Sequence, residues 1–122
     1  MGTSIVDFRN PVAAEDSSPA AGRVLAGRPR AQVQNHYADG SGRFFAGRWS
    51  STRGRWRVSY TEHEFCHLLE GRVLLTDDAG GRWEFGPGDA WVIPAGFSGT
   101  WETVEPASKL YAIFDSGAGT AT

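Results

Sequence analysis

The sequence predicts one all-β domain, closed into a barrel or a sandwich. Three observations carry this: turn signals recur roughly every ten residues, short apolar runs lie between them, and no long segment has helical periodicity. The composition agrees, with sixteen glycines, seven phenylalanines, five tryptophans and three tyrosines. Aromatics favour pleated surfaces, and glycine supplies turn conformations. A chain of 122 residues is long enough for one domain with a real core and too short for two.

Residues 1 to about 30 are rich in Ala, Pro, Ser, Gly and Arg and lack apolar periodicity, which reads as a flexible arm with a short strand at Val24–Leu25. The barrel domain is expected over 31–116, followed by a disordered tail at 117–122. Gln32–Tyr37 alternates as an edge strand would, and Phe44–Trp49 follows the turn Asp39-Gly40-Ser41-Gly42. Trp56–Tyr60 alternates after Arg53-Gly54. Arg72–Thr76 and Arg82–Phe85 flank the hairpin turn at Asp77–Gly81. Ala90–Ile93 follows Gly86-Pro87-Gly88-Asp89, in which Asp89 caps the turn, and Thr100–Val104 and Lys109–Phe114 close the series.

A net charge of −2 gives no reason to expect a nucleic-acid partner. No stretch is long and apolar enough to span a membrane, and the N-terminus lacks the basic-then-apolar pattern of a signal peptide. The single cysteine, Cys66, excludes an internal disulfide and fits a reducing compartment, so the cytoplasm is expected. Charge is uneven: residues 1–57 carry nine arginines against four acids, and 58–122 carry three basic residues against ten. Either the halves pair across a sheet or a subunit contact, or Arg53, Arg55 and Arg57 receive an anionic ligand.

His63-Glu64-Phe65-Cys66-His67 matches the H-E-x-x-H zinc signature, which works only on a helix. On a strand the two histidines stand about 13 Å apart, and Glu64 faces the other way. The run continues without a break into Gly71-Arg72-Val73-Leu74-Leu75, so a strand is expected, with the histidines in surface and core roles.

Two spacings resemble the cupin motifs: Glu64 with Gly71 in the first, and Gly88, Pro94 and Gly96 in the second. The phrases GRWSSTRGRWRVSYTEHEFCHLLEGRVLLTDDAG, GPGDAWVIPAGFSGTWETVE and KLYAIFD are similar to the small cupins of the ethanolamine-utilisation type, the Cupin 3 group, over about residues 30–115. Trp49, Trp101 and Lys109 fall in that pattern too. The resemblance implies an RmlC-like jelly-roll β-barrel, or double-stranded β-helix. It also implies histidine slots at Val58 and Tyr60 (or Arg57 and Ser59) and at Gly99, with the asparagine slot at Thr103. None of these is histidine, and only Glu64 remains of the usual ligand set. One carboxylate cannot hold a divalent ion tightly, so no metal and no other cofactor is expected.

The expected site is therefore a barrel pocket lined by Tyr60, Glu64, Trp101 and Lys109, with Trp49 and Arg57 as further ligand-binding candidates and space left by Gly99. Its ligand would be a small polar or acidic metabolite. Lys109, the only lysine, would neutralise Glu64 or meet a ligand anion. If the site does chemistry, Glu64 is the general acid or base and Tyr60 its partner. Cys66 reads as a small buried hydrophobe, since no cationic neighbour can be located in the sequence. Two other readings stand beside this one. The first is a metal enzyme in which His63, His67 or His36 joins Glu64. The second is a structural or regulatory protein that forms a homodimer through an aromatic sheet face.

Overall fold

The computed structural model describes residues 3–117, so the expected tail lies outside the described residues from 118 onward. The strands are β1 (Glu15–Asp16), β2 (Val24–Gly27), β3 (Ala31–Ala38), β4 (Phe44–Ser51), β5 (Gly54–Ser59), β6 (His63–Asp77), β7 (Arg82–Phe85), β8 (Ala90–Ile93) and β9 (Ser98–Phe114), with one 3-10 turn at Ala21–Arg23. All pairings are antiparallel. Among the described residues no helix is long and apolar enough to cross a membrane.

Two long strands build the barrel. The first half of β6 pairs with β8 on one side and with the Ser108–Phe114 stretch of β9 on the other. Its second half pairs with β7 and with the Gly99–Glu105 stretch of β9. The late half of β9 continues to β4, β3 and β1, and its early half to β5 and β2. One curled sheet thus forms two facing layers, and β6 and β9 belong to both. The sequence reading placed separate strands at Arg72–Thr76, Thr100–Val104 and Lys109–Phe114. Gly71 and Pro106 look like breaks, yet the ladder carries on through them by register shifts between Leu68 and Val73.

Gly71 is required at this bend. Its φ is +88°, and a Cβ there would meet the Pro106 carbonyl oxygen and lie 2.6 Å from Ala107 Cα. Alternation then sets the interior. Along β6, Glu64, Cys66 and Leu68 are buried while His63, Phe65 and His67 face outward; beyond the bend Val73 and Leu75 take over. The His63–His67 segment is a strand, as its continuity predicts. Trp56, Trp101 and Ile93 complete the core with them.

The segment expected as a flexible arm over residues 1–30 carries two short strands and a 3-10 turn among its described residues. The foreseen strand at Val24–Leu25 runs to Gly27 and pairs with β5, and Glu15–Asp16 pairs with β3. Gln34 Nε2 donates to the Val12 carbonyl, and Phe8 stacks on His36 at 4.3 Å. Buried Pro29 sits where a Cβ on Gly54 would lie 2.6 Å from its ring. Backbone ladders and one proline notch hold this segment, and neither leaves apolar periodicity.

Replacing Gly71 with Ala is expected to destabilise the domain by about 3 kcal/mol, because positive φ and backbone overlap both oppose a side chain. Urea denaturation checks this; a loss under about 0.5 kcal/mol would show that the crossing relaxes freely.

Candidate functional site

The inward residues of β4, β6 and β9 converge on one side chain. Lys109 of β9 is opposite Trp49 of β4 and Leu68 of β6 in the sheet register. Its ammonium lies 4.8 Å from the Trp49 ring centroid and 4.5 Å from that of Trp101, which comes from the opposite layer. Nζ donates to Glu64 Oε2 at 2.8 Å and to Cys66 Sγ at 3.5 Å. The Lys109 and Glu64 side chains are only 5% and 8% exposed, so the pair is removed from solvent.

Burying two charges costs several kcal/mol each, and the cost is offset only when the charges are paired and their remaining donors satisfied. Here a carboxylate, a thiol and two indole faces surround the ammonium. A desolvated cation over tryptophan gains about 2 kcal/mol per favourable face. The Trp101 ring is held in turn: its Nε1 donates to Thr103 Oγ1 at 3.0 Å, which donates to Ser51 Oγ at 3.2 Å, which donates to the Thr52 carbonyl at 2.6 Å. Trp49 packs edge-on against Trp101, with ring centroids 5.3 Å apart. Of the buried side-chain polar atoms among the described residues, Trp91 Nε1 lacks a partner.

Electrostatics fix the protonation states. Burial acts to lower the Lys109 pKa, but the Glu64 charge outweighs it and holds the ammonium above its ordinary range. Burial pushes the Cys66 thiol up to about 12, with Lys109 opposing. The Tyr60 phenol is raised first by burial and then by the Glu64 charge. Tyr111 rises to about 12 for the same two reasons. At neutral pH the cluster therefore holds a charged lysine, a neutral thiol and neutral phenols. The lysine is no nucleophile in that state, and the thiol is inert.

Several expected site residues are placed differently from the sequence reading. Lys109 does neutralise Glu64, and Trp101 does face inward, but both are sealed from solvent. Gly99 leaves no vacancy: a Cβ there would meet the Thr76 carbonyl oxygen and lie 2.8 Å from Asp77 Cα. Its slot is filled by the neighbouring backbone. Arg57 alternates outward beside buried Trp56 and pairs with Asp78 at 2.8 Å, so it does not reach the Glu64 cluster. Cys66, read as lacking a cationic neighbour, has Lys109 beside it across the β6–β9 ladder.

The proposed histidine ligands do not gather around Glu64 either. His63 faces the other side of β6, accepts a bond at Nδ1 from the Ala95 amide at 3.1 Å and stacks on Phe114. His67 shares that outward face, and His36 stacks on Phe8. Among the described residues no three His, Cys, Asp or Glu side chains converge as metal ligands.

An open cleft of about 450 Å³ reaches the cluster from one side, lined by Glu64, Trp49, Tyr111, Asn35, Phe45 and Val33 among others. Of the sequence-predicted site residues it contains Glu64 and Trp49; Lys109 and Trp101 lie behind them. Tyr111 and Asn35 were not anticipated. The Tyr111 hydroxyl donates to Asn35 Oδ1 at 2.6 Å, and a Cβ on Gly47 would lie 2.7 Å from that hydroxyl. A glycine inside an otherwise aromatic strand was the available signal, since it marks close approach.

The model of the EutQ-like cupin domain matches residues 38–111. A protein of unknown function of the DUF861 family from Pseudomonas syringae pv. tomato is similar in structure, with a TM-score of 0.77 and 24% identity over 88% of this chain and 46% of that one. Clostridium difficile EutQ has a TM-score of 0.64 and 15% identity over 71% of this chain and 64% of that one. The cupin domain of Schizosaccharomyces pombe Cnp3 has a TM-score of 0.63 and 11% identity over 83% and 75%. The chain thus spans less than two thirds of the first two proteins. No curated protein matches it in sequence.

A double-mutant cycle tests the pair. Lys109→Met alone is expected to cost about 3–5 kcal/mol, because it strands a buried carboxylate. Adding Glu64→Leu should recover more than half of that loss in urea denaturation, whereas additive losses would mean that the charges are independently solvated.

Proposed function

This chain belongs to the EutQ-like cupin domain family, and from that premise we propose that it is a small-molecule-binding domain whose ligand enters the cleft above Glu64. The observation that carries this reading is the cleft itself. It ends on a buried, charge-paired carboxylate and has aromatic walls at Trp49, Phe45 and Tyr111. Concave sites of this size, largely apolar with a few convergent polar groups, suit small ligands.

The lining narrows the ligand class. Among the described residues no cationic side chain borders the cleft, because Lys109 is enclosed by its own partners, while Glu64 and Asn35 present oxygen acceptors. A neutral polar or cationic metabolite that donates hydrogen bonds fits better than the acidic one also considered from sequence. If the ligand is transformed, Glu64 is the acid or base nearest to it, with Tyr60 acting through the same charge cluster.

A second observation favours self-association. In the outer face of the first layer, Tyr37, Ala46, Ala112, Phe65 and Val92 form one cross-strand row, and Phe44, Phe114 and His63 form the next. Phe65, Val92 and Phe114 are 46%, 59% and 50% exposed. Neither row carries an acidic or arginine side chain, so a second copy of the chain can meet this face with no charge to bury.

In a thermal-shift panel, neutral polyols and small amines are expected to raise Tm by about 4 °C or more at saturating concentration, and carboxylic acids by less. Val33→Phe, which fills the cleft, should abolish the shift. Stabilisation by acids alone, or binding untouched by Val33→Phe, would sink the reading. Light scattering tests the pairing: a dimer is expected, reverting to monomer in Phe65→Glu, and a monomeric wild type at high concentration would refute it.

A further inference from the structure

A separate cleft lies at the bend where β6 and β9 cross, outside the barrel interior. It has a volume of about 420 Å³ and is lined by Arg30, Gln32, Ser50, Thr52, Glu70 and Ser108 among others. Four of these form one continuous row across the sheet, because Gln32 is opposite Ser50, Ser50 opposite Ser108 and Ser108 opposite Glu70. Beyond Gln32 the row ends on Asp16 of β1, and Arg30 stands two pairs along from Gln32, opposite Thr52 at the start of β3. Its backbone is locked to β4, with its amide donating to Thr52 Oγ1 at 2.9 Å and its carbonyl accepting from the Thr52 amide at 2.9 Å.

Two opposite charges face this cleft without an ion pair between them, and the Asp16 carboxylate, which does not line the cleft, also acts on Arg30 through space. Elsewhere on the surface Arg57 joins Asp78, Arg72 joins Glu84 and Arg9 joins Asp7. Arg30 and Glu70 instead stand on opposite sides of the cavity, with β4 and β9 between their strands. Three interstrand steps, with Arg30 a further two residues along its strand, separate them by roughly 16 Å at the backbone, a span that two long side chains reduce to the length of a small molecule. Between them lie two hydroxyls, that of half-buried Ser50 and that of buried Ser108, and among the described residues neither bonds to another side chain.

We propose that this cleft is a second ligand site, distinct from the one above Glu64, and that it takes a small dipolar molecule bearing separated carboxylate and ammonium groups, as in an ω-amino acid. The guanidinium of Arg30 receives the carboxylate through its forked donors, and Glu70 receives the ammonium. The Ser50 and Ser108 hydroxyls and the Gln32 amide hold whatever polar atoms lie between. Neither charge is buried, so the site needs no desolvated ion. Its selectivity comes from the distance between its poles.

The probe is γ-aminobutyrate, with butyrate and n-butylammonium as single-pole controls, titrated into the full chain labelled with ¹⁵N at low ionic strength. The dipolar probe is expected to bind at least fivefold more tightly than either control, with shifts centred on the amides of Ser50, Thr52, Glu70 and Ser108. Arg30→Gln should reduce its affinity to that of n-butylammonium, and Glu70→Gln to that of butyrate. Both residues are exposed, so neither change threatens the fold. Equal binding of all three compounds, no shift up to millimolar concentration, or shifts centred on Trp49 and Tyr111 would overturn the assignment. The last outcome would place the probe in the Glu64 cleft and leave that site standing.

Discussion

The interior of this barrel is organised around one ammonium group. Lys109, from the late half of β9, is enclosed by the Glu64 carboxylate, the Cys66 sulfur and the faces of Trp49 and Trp101, and those partners come from β4, from β6 and from the early half of β9. A buried cation tolerates few arrangements. Each of its donors must find an acceptor or a ring face, or the fold loses several kcal/mol. The pair therefore fixes the register of the two long strands against each other as well as the contents of the lumen. The hydroxyl relay through Thr103 and Ser51 extends the same constraint to the Trp101 ring.

That arrangement depends on the bend. Were β6 and β9 straight, Trp101 and Lys109 would lie far apart on a single layer. The crossing at Gly71 and Pro106 folds the early half of β9 over its late half and brings Trp101 edge-on against Trp49, so that both indoles border the ammonium. The cupin resemblance implies metal-ligand slots around Glu64, and none of them holds a histidine in this chain. In this chain Glu64 is met by a cation from its own sequence. The lumen is filled, and ligand access is left to a cleft on one side.

How much of this was legible depended on the kind of signal. Arg82–Phe85 and Ala90–Ile93 are strands to the residue, because glycine and proline turns bracket them on both sides. Parity along His63–His67 separated Glu64 from the histidines, and the solitary lysine suggested a counter-ion for the solitary site carboxylate. Parity also places Arg57 outward, between inward Trp56 and Val58, whereas the arginine cluster Arg53, Arg55 and Arg57 carries no information about which face it occupies. The contact between Cys66 and Lys109 joins residues 43 positions apart through a ladder with register shifts, and no local pattern encodes it. The emptiness expected at Gly99 was wrong because glycine marks close backbone approach as readily as vacancy. The N-terminal segment is held by ladders of two and three residue pairs and by Pro29 against Gly54, and these leave no periodicity to read.

Lys109 is the only lysine in the chain, so its ammonium can be observed directly. Selective ¹⁵N labelling of lysine gives a single Nζ resonance. An enclosed, paired ammonium should show slowly exchanging, ring-shifted NH₃⁺ protons at neutral pH. It should also stay protonated well above the ordinary lysine pKa of about 10.4 for as long as the protein remains folded. An averaged signal in fast exchange with water, titrating near that ordinary value, would contradict the account at its centre.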